Sequence, residues 1–254
     1  MQHSKEGLIL QQVINIRKEQ PRCGTRKLQV MLQPFLKKNN IFISRDGLFR
    51  LLAKNKLLIR KRKRSTHTTN SKHFFYRYPY LVKAFTPLHA HELWVADITY
   101  IPTKHRHAYL FLITDAYSRK IVGFHLSDDM KVSSGLIALK KALAQKPPEA
   151  IVIHHSDRGI QYCSTEYTNL LQQHNCMISM TQNSDPYENA IAERINGIMK
   201  QEYLEHHMLN DKEDVMELLA TSVNSYNKLR PHMSCNMLTP ETVHQNNTMV
   251  QRTW

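Results

Sequence analysis

The chain has 254 residues, which suits one large domain or two small ones, and its net charge of +14 predicts a polyanionic partner, either nucleic acid or an acidic membrane surface. Its seven glycines lie far apart and exclude a glycine-rich phosphate loop, and no apolar run is long enough to span a membrane. Its four cysteines form no Cys-x-x-Cys pair, which argues against a zinc finger and indicates a reducing, cytoplasmic compartment.

The positive charge is concentrated in the first third of the sequence. Residues 1–90 carry a net charge of +17, whereas residues 91–254 carry a net charge of −3. An asymmetry of this size predicts two modules with different tasks, and it assigns binding of the polyanion to the first module.

Three short helices are predicted in the first module. Residues 10–17 suit an amphipathic helix, which Pro21–Gly24 then interrupt. A second helix has Thr25 as its expected N-cap and an apolar stripe at helical spacing, and Pro34 within that stripe is expected to kink or shorten it. A third, basic helix capped by Ser44 completes a helix-turn-helix pattern.

The predicted helix-turn-helix domain, residues 1–64, ends with the basic run Lys61–Arg64. This run either contacts nucleic acid or forms a solvated or targeting patch, and its position beside the helix-turn-helix pattern favours contact. Residues 65–89 are predicted to form a linker. Its aromatic residues between Phe74 and Tyr80 are expected to pack against the next domain rather than to stack on bases.

Residues 90–205 change from a helical pattern to an extended one. Three strands joined by hairpin-length connections are predicted first, at 93–101, 108–114 and 120–126. Helices then alternate with two further strands, in the order 132–144, 150–154, 166–174, 177–180 and 187–203. This order predicts an α/β, ribonuclease-H-like fold with a mixed five-stranded sheet, followed by a helical extension over residues 206–254.

Three acidic residues stand out by their position in these elements. Asp97 lies within an apolar strand, where an unpaired carboxylate is costly to bury. Asp157 follows an apolar strand at the end where ligands bind in such sheets, and Glu193 lies inside the last helix. A single acid is more often an N-cap or a surface ion pair, but three converging carboxylates repel and need a cation. Oxygen ligands suit Mg²⁺ or Mn²⁺, and two such ions can hold both reacting oxygens of a phosphodiester.

Four motifs in this order carry a resemblance to one protein family. Three surround the acids and read WxxDITY from Trp94, HSDRGxQY from His155 and DPYENAxAE from Asp185. The fourth reads YNxxRPH from Tyr226, followed by TPE from Thr239. Together they resemble the OrfB-type, integrase-core DDE transposases of the IS three family of bacterial insertion sequences, which are related to retroviral integrases. The first-module segments 22–27 and 44–58 resemble the helix-turn-helix of that family.

The resemblance implies a metal-dependent DNA transposase in which Asp97, Asp157 and Glu193 are the catalytic and metal-binding residues. It implies Mg²⁺ or Mn²⁺ as a pair of ions, and transposon-end DNA and target DNA as substrates. Further copies of the chain, as a homodimer or a higher synaptic oligomer, and an upstream-frame protein, fused or separate, are the other implied partners. A cytoplasmic, nucleoid-associated location is expected, without membrane contact.

DNA contacts are predicted at basic and polar side chains of both modules. They are Arg26, Lys27, Arg45, Arg50, Lys61, Arg62, Lys63, Arg64, Arg158, Asn189 and Lys200. Lys200 lies seven residues after Glu193 on the same helical face, although a solvent-exposed lysine is an almost equal alternative. Asn189 either orients the bound DNA or caps the last helix.

Other polar residues are assigned to structure. Asp115 is expected to form a turn with Ser118 or to pair with Arg119. The histidines lack sulfur partners at zinc-site spacing, which disfavours zinc at His105, His107, His154 and His155. His155 is expected to shape the site around Asp157 instead.

Two other functions are compatible with this fold. A sequence-specific DNA-binding protein derived from a transposase would keep the fold without catalysis, but the intact acidic triad argues against it. A different ribonuclease-H-like nuclease would act on RNA or on DNA junctions, but the helix-turn-helix segment and the C-terminal motif favour a transposase.

Overall fold

The computed structural model describes residues 5–59, 75–104, 107–182, 188–205, 207 and 212–247. Four of the predicted DNA contacts lie outside the described residues, namely Lys61, Arg62, Lys63 and Arg64. His105 and the first three residues of the motif that begins at Asp185 also lie outside them. In the part of the chain that is described, no helix is both long and apolar enough to cross a membrane.

The N-terminal module consists of three helices around a core of its own. They are α1 (Lys5–Glu19), α2 (Thr25–Lys38) and α3 (Arg45–Lys54). Apolar side chains from all three helices, including Val13, Leu32 and Leu52, form a single hydrophobic cluster. This cluster removes the inward-facing apolar side chains of all three helices from water.

One prediction about these helices is wrong and one is wrong in part. Thr25 is not the N-cap of α2, because Gly24 takes that position without a side-chain hydrogen bond. Pro34 does not shorten α2, which continues through it to Lys38. The prediction for α3 is confirmed, because the Ser44 hydroxyl accepts a hydrogen bond from the Gly47 backbone N–H at 3.1 Å.

The central sheet has five strands, as the sequence predicts. They are β1 (Leu93–Pro102), β2 (His107–Asp115), β3 (Ile121–Ser127), β4 (Val152–Ser156) and β5 (Cys176–Met180). β2 pairs antiparallel with β1 and with β3, whereas β4 runs parallel to β1 and to β5. The resulting order, β3-β2-β1-β4-β5, places β1 in the middle of the sheet.

Helices pack on both faces of the sheet. One face carries α4 (Val132–Leu143), α5 (Ile160–Cys163) and α6 (Thr165–Gln173). The other face carries α7 (Ala190–Ile198), a π-helical segment (Met199–Leu204) and α8 (Lys212–Leu229). The sequence prediction missed α5 and was wrong in taking α7 and the π-helical segment as one regular helix. Such π-helical turns are rare and often occur at functional positions.

The segments outside the sheet are attached to it. A 3-10 turn (Met233–Cys235) and α9 (Pro240–Asn246) follow α8. Ahead of β1, the Leu81 backbone N–H donates to Ser179 Oγ at 3.0 Å, and the Tyr80 ring centre lies 5.5 Å from that of His155. Of the described aromatic residues of the predicted linker, Tyr78 and Tyr80 pack on the sheet domain as expected, whereas Tyr76 is 72% exposed.

Candidate active site

Asp97 lies in the middle of β1 and is held by two hydrogen bonds. Its Oδ2 accepts from the Asn196 side-chain amide at 2.8 Å, and its Oδ1 accepts from the Ile98 backbone N–H at 2.9 Å. Burial, the charge of Asp157 and, more weakly, the charge of Glu193 together raise the pKa of Asp97 to about 7, against the effect of both hydrogen bonds. A negative charge on Asp97 is therefore unfavourable at neutral pH.

Asp157 follows the last residue of β4 and lies close to Asp97. β1 and β4 are paired in parallel up to Val95↔His155, so extending the register by two residues brings the two acids together. The Gly159 backbone N–H donates to Asp157 Oδ1 at 3.0 Å. A Cβ atom at residue 159 would lie 3.0 Å from the same oxygen, so any larger residue there would crowd the Asp157 carboxylate.

Glu193 lies in the first turn of α7, which packs on β1, and its side chain is exposed. Its charge acts on Asp97 more weakly than that of Asp157, so the third acid lies on the Asp97 side of α7 but farther from Asp97 in its electrostatic effect. The buried Asn189 donates from its side chain to the Ala96 carbonyl oxygen at 3.0 Å and so fixes the start of α7 on β1. Asn189 occupies the N-cap position of α7, in agreement with one of its two predicted roles, although its side chain makes no capping hydrogen bond. Its burial does not favour the other predicted role, contact with DNA.

The three acids form a cluster of like charges that a cation would stabilise. Their oxygen-only donor set fits Mg²⁺ or Mn²⁺. Within the described ranges, no three acidic, His or Cys side chains already surround one metal position. Converging carboxylates repel one another, which favours such an open arrangement and agrees with the raised pKa of Asp97.

The two neighbouring histidines of β4 are structural. His155 Nδ1 lies 2.9 Å from Ser179 Oγ, and its Nε2 lies 2.9 Å from the Glu188 carbonyl oxygen, so the ring connects β4 with β5 and with the chain before α7. His154 Nε2 lies 3.1 Å from the Tyr167 hydroxyl, and burial lowers the pKa of His154 to about 3. His155 shapes the site as predicted, and no zinc site forms among the described residues.

The predicted DNA contacts that the structure describes differ in their exposure. Exposed or partly exposed are Arg26, Arg45, Arg50, Arg158 and Lys200. The ammonium group of Lys27 instead lies 3.4 Å from the Glu202 carboxylate, and only 13% of this lysine side chain is exposed. Lys27 therefore belongs to an ion pair within the protein, contrary to its predicted contact with DNA.

Sequence reasoning missed Asn196. It lies one turn after Glu193 on α7, is buried and donates to Asp97. Its Oδ1 is one of the buried side-chain atoms of the described residues that have no hydrogen-bond partner. The spacing of three residues from Glu193 places it on the same helical face, and that was the only available signal.

The C-terminal motif is structural. Asn227 mimics a strand neighbour, since its Oδ1 accepts from the Ile121 N–H at 2.9 Å and its Nδ2 donates to the Ile121 carbonyl at 3.0 Å. The Tyr226 hydroxyl donates to the Arg119 carbonyl at 2.9 Å. Both residues thus fasten α8 to the edge strand β3 and to the turn before it.

Other residues of this motif also hold elements together. Arg230 donates from Nε and Nη2 to the two carboxylate oxygens of Glu202, each at 2.8 Å. Lys120 pairs with Glu241 of α9 at 3.1 Å. Burial and the charge of Arg230 lower the pKa of His232 to about 2, so this histidine is neutral.

Asp115 forms the turn that the sequence predicts. Its Oδ1 accepts from the Ser118 N–H at 2.8 Å and from the Ser118 hydroxyl at 2.7 Å, and its Oδ2 accepts from the His91 N–H at 2.7 Å. Burial alone would raise the pKa of Asp115, but these bonds and His244 lower it. Asp115 is therefore a satisfied structural acid.

Known proteins share both the sequence and the architecture. Two models of the integrase core domain match residues 87–186 and 174–240. The uncharacterized 31 kDa protein of insertion element IS600 from Shigella sonnei is 33% identical over 228 residues, covering 87% of this chain and 82% of that protein. A putative transposase of IS986/IS6110 from Mycobacterium tuberculosis is 32% identical over 224 residues, covering 85% and 79%. The chain belongs to this family of insertion-sequence transposases.

The fold of the transposase agrees with this membership. A chain of the simian T-cell lymphotropic virus intasome aligns with a TM-score of 0.56 and 17% identity, covering 92% of the transposase and 75% of that chain. This likeness confirms the ribonuclease-H-like, integrase-core fold that the order of strands and helices predicts. The expected kinship with the IS three family is confirmed by the transposase InsF of insertion sequence IS3A from Escherichia coli, which is 32% identical over 157 residues, covering 61% of this chain and 54% of that protein.

Proposed function

We propose that this transposase is a polynucleotidyl transferase that cuts DNA at the ends of its insertion sequence and joins the freed ends to target DNA. The observation that supports this most directly is the cluster of Asp97, Asp157 and Glu193 where β1, β4 and α7 meet. Carboxylates gathered in this way destabilise one another, which suits a role in chemistry rather than in folding.

Each of the three carboxylates is a proposed ligand for Mg²⁺ or Mn²⁺, with two ions in the active complex. When bound, these ions would polarise the phosphodiester and lower the pKa of an attacking water. Asn196 positions Asp97 through the bond to Oδ2, and Gly159 positions Asp157 through its backbone N–H. The sheet and α7 thus supply ligands from three elements whose mutual packing is rigid.

The proposed reaction has two phosphoryl-transfer steps. Water attacks a phosphodiester at the end of the insertion sequence, one P–O bond breaks and a 3′-hydroxyl is released. This hydroxyl then attacks a phosphodiester of the target, so that one P–O bond forms as another breaks. The protein forms no covalent bond to DNA in either step, and its contribution is to position the reacting groups.

We assign recognition of the transposon end to the helix-turn-helix domain. Arg26, Arg45 and Arg50 present guanidinium groups on its surface, which suit phosphate contacts. Arg158 and Lys200 are proposed contacts within the catalytic domain, and Lys61–Arg64 remain predicted contacts. The proposed domains are 1–64 for DNA binding, 65–89 as the connection, 90–205 for catalysis and 206–254 as the C-terminal extension.

The active form is proposed to be a homodimer or a higher oligomer. Two transposon ends must be held together with the target DNA, and copies of one chain related by symmetry achieve this with a single kind of interface. An upstream-frame protein, fused or separate, is a further proposed partner. The proposed location is the cytoplasm, in association with the nucleoid.

The test uses purified transposase, Mg²⁺, a labelled duplex with the end sequence and a target plasmid. The wild type is expected to nick the end and to join it to the plasmid. Asp97→Asn, Asp157→Asn and Glu193→Gln are each expected to lose both steps while their gel-shift affinity for the duplex stays unchanged. Joining by any of these variants would refute the assignment of that acid. Binding without nicking by the wild type would favour the non-catalytic DNA-binding protein.

A further inference from the structure

A buried polar interface connects the N-terminal helices with the catalytic domain. We refer to it as the docking seam, and its residues are Glu19, Gln20 and Lys27 on one side and Glu202, Tyr203, Ser225 and Arg230 on the other. The first set belongs to the segment from α1 to α2, and the second set belongs to the π-helical segment, α8 and the residue that follows it.

The uncharged half of the docking seam is centred on Gln20, of which 2% is exposed. Its Nε2 donates to the Ser225 carbonyl at 3.0 Å and to Ser225 Oγ at 2.9 Å, and its Oε1 accepts from the Tyr203 hydroxyl at 2.7 Å. The Ser225 hydroxyl in turn donates to the Glu19 carbonyl at 2.6 Å. Because these buried groups satisfy one another in one geometry, they define a single orientation of the two modules.

The charged half of the docking seam is centred on Glu202. Arg230 binds both of its oxygens at 2.8 Å, and Lys27 approaches the same carboxylate to 3.4 Å. Burial alone would raise the pKa of Glu202, but the two cations outweigh burial and lower it. Removing Lys27 would leave Glu202 paired with Arg230 alone, so this charged cluster would lose its ionic contact with the N-terminal helices.

The docking seam is continuous with the element that bears the third catalytic acid. Glu202 and Tyr203 lie in the π-helical segment, which extends α7 without interruption, and α7 carries Glu193 and Asn196. A shift of the N-terminal helices against this segment would therefore act on the same helix that holds Glu193 near Asp97. The N-terminal helices, which are proposed to bind DNA, and the acids, which are proposed to cut it, therefore belong to one packed unit.

We propose that the docking seam sets the distance between the DNA sequence read by α1–α3 and the phosphodiester that is cut, with Lys27 and Glu202 as positioning residues. This inference rests on the proposed function. A DNA end held by a module that cannot turn against the catalytic domain presents one phosphodiester to the acids. A module attached only through a flexible connection would present several neighbouring phosphodiesters.

The test compares Lys27→Met with the matched control Lys120→Met. The two lysines are equally exposed, 13% each, and their partners Glu202 and Glu241 are 20% and 21% exposed. The control pair joins α9 to the turn before β3, outside the docking seam. Each variant is incubated with end-labelled duplex and Mg²⁺, and the cut sites are mapped at nucleotide resolution. Affinity for the duplex is measured at two salt concentrations.

We expect Lys27→Met to cut at several adjacent positions. Cutting at the native position should fall by up to about 10²-fold, with affinity unchanged, whereas Lys120→Met should keep one position. Tyr203→Phe removes only the bond to Gln20 and should show a weaker spread of cut sites. This milder variant decides the question if Lys27→Met does not fold.

Three results would overturn the inference. They are a single native cut site in both seam variants, a loss of affinity and of salt dependence in Lys27→Met, and faster cutting by that variant. The second would make Lys27 a phosphate contact, and the third would make the seam a brake on catalysis. If the wild type does not cut at all, the proposed function itself fails, which separates the two failures.

Discussion

The three candidate acids and the C-terminal motif are equally recognisable in the sequence, yet the fold treats most of their residues in opposite ways. At the acids, the pKa of Asp97 is raised to about 7, and Asn196 Oδ1 is buried without a partner. In the C-terminal motif, Asn227 uses both ends of its amide, and the ion pair with Arg230 lowers the pKa of Glu202. His232 is the exception in this motif, since its Nε2 is buried without a hydrogen-bond partner among the described residues.

This difference helps to distinguish residues that take part in catalysis from residues that stabilise the fold. A family motif identifies residues but does not give their role. Their hydrogen bonds and the charges around them indicate whether that role lies in catalysis or in stability. Groups that the fold leaves electrostatically unfavourable are candidates for catalysis, and groups whose bonds are complete are candidates for stability. Each of the following variants tests whether this distinction between catalysis and stability holds.

The largest effect is expected for Asp97→Asn. Loss of a metal ligand should lower the rate of cutting by roughly 10³-fold, because metal chemistry supplies several kcal/mol to the transition state. The same change should not lower the free energy of unfolding at pH 8, since it removes an unfavourable charge. Urea unfolding and cutting assays on one preparation check both parts. A clear loss of stability would show that Asp97 is an architectural acid.

A smaller effect on the same region is expected for Asn196→Ala. Removing the amide that orients Asp97 should reduce cutting by about 10-fold to 100-fold, the usual result of losing a residue that supports a metal ligand. The cost should appear as a higher Mg²⁺ concentration at half-maximal rate. A magnesium titration of the cutting rate measures it. An unchanged titration curve would remove Asn196 from the site.

The opposite result is expected for Asn227→Ala. This change leaves the N–H and carbonyl of Ile121 without partners and should lower the free energy of unfolding by about 1–3 kcal/mol. Asn224 lies one turn earlier on α8 and is exposed, so Asn224→Ala is a matched control with little expected effect. Denaturant unfolding compares the two. Cutting per folded molecule should not change, and a selective loss of cutting would place Asn227 in the chemistry.

The smallest effect is expected at acidic pH, where the free energy of unfolding depends on the protonation of Glu202. Its pKa in the folded protein lies below the ordinary value of 4.5, so the folded carboxylate holds protons less tightly than the unfolded one. This contribution to stability is present above pH 4.5 and is lost as the pH falls through the lower folded value. In Glu202→Gln, this part of the pH dependence should be missing. An identical slope in both proteins would contradict the pairing.

The sheet could be predicted from the sequence because its signals are local. Each of β1 to β5 and α4 has a pattern of apolar residues that is visible within the segment itself. α5 could not be predicted, since its four residues are too few to show a period. The start of α2 differs from the prediction by one residue, because local signals fix a helix boundary only to within one or two residues.

The site divides in the same way. Asp97, Asp157 and Glu193 could be proposed as site residues because each lies within a motif. Lys27 was misassigned because its partner Glu202 is 175 residues away, and no local pattern reports such a contact. The role of Asn196 likewise depends on how α7 lies across β1. Contacts between distant segments are the part of this protein that its sequence alone does not reveal.

The central claim, that the acids hold a divalent metal for cutting DNA, is tested most directly by exchanging the ligand atom. Asp157→Cys replaces a carboxylate with a thiolate, which binds Mg²⁺ poorly and accepts the softer Mn²⁺ better. We predict no cutting by Asp157→Cys in Mg²⁺ and partial recovery in Mn²⁺, with Asp157→Asn inactive in both. Cutting by Asp157→Cys in Mg²⁺ at the wild-type rate would contradict the account.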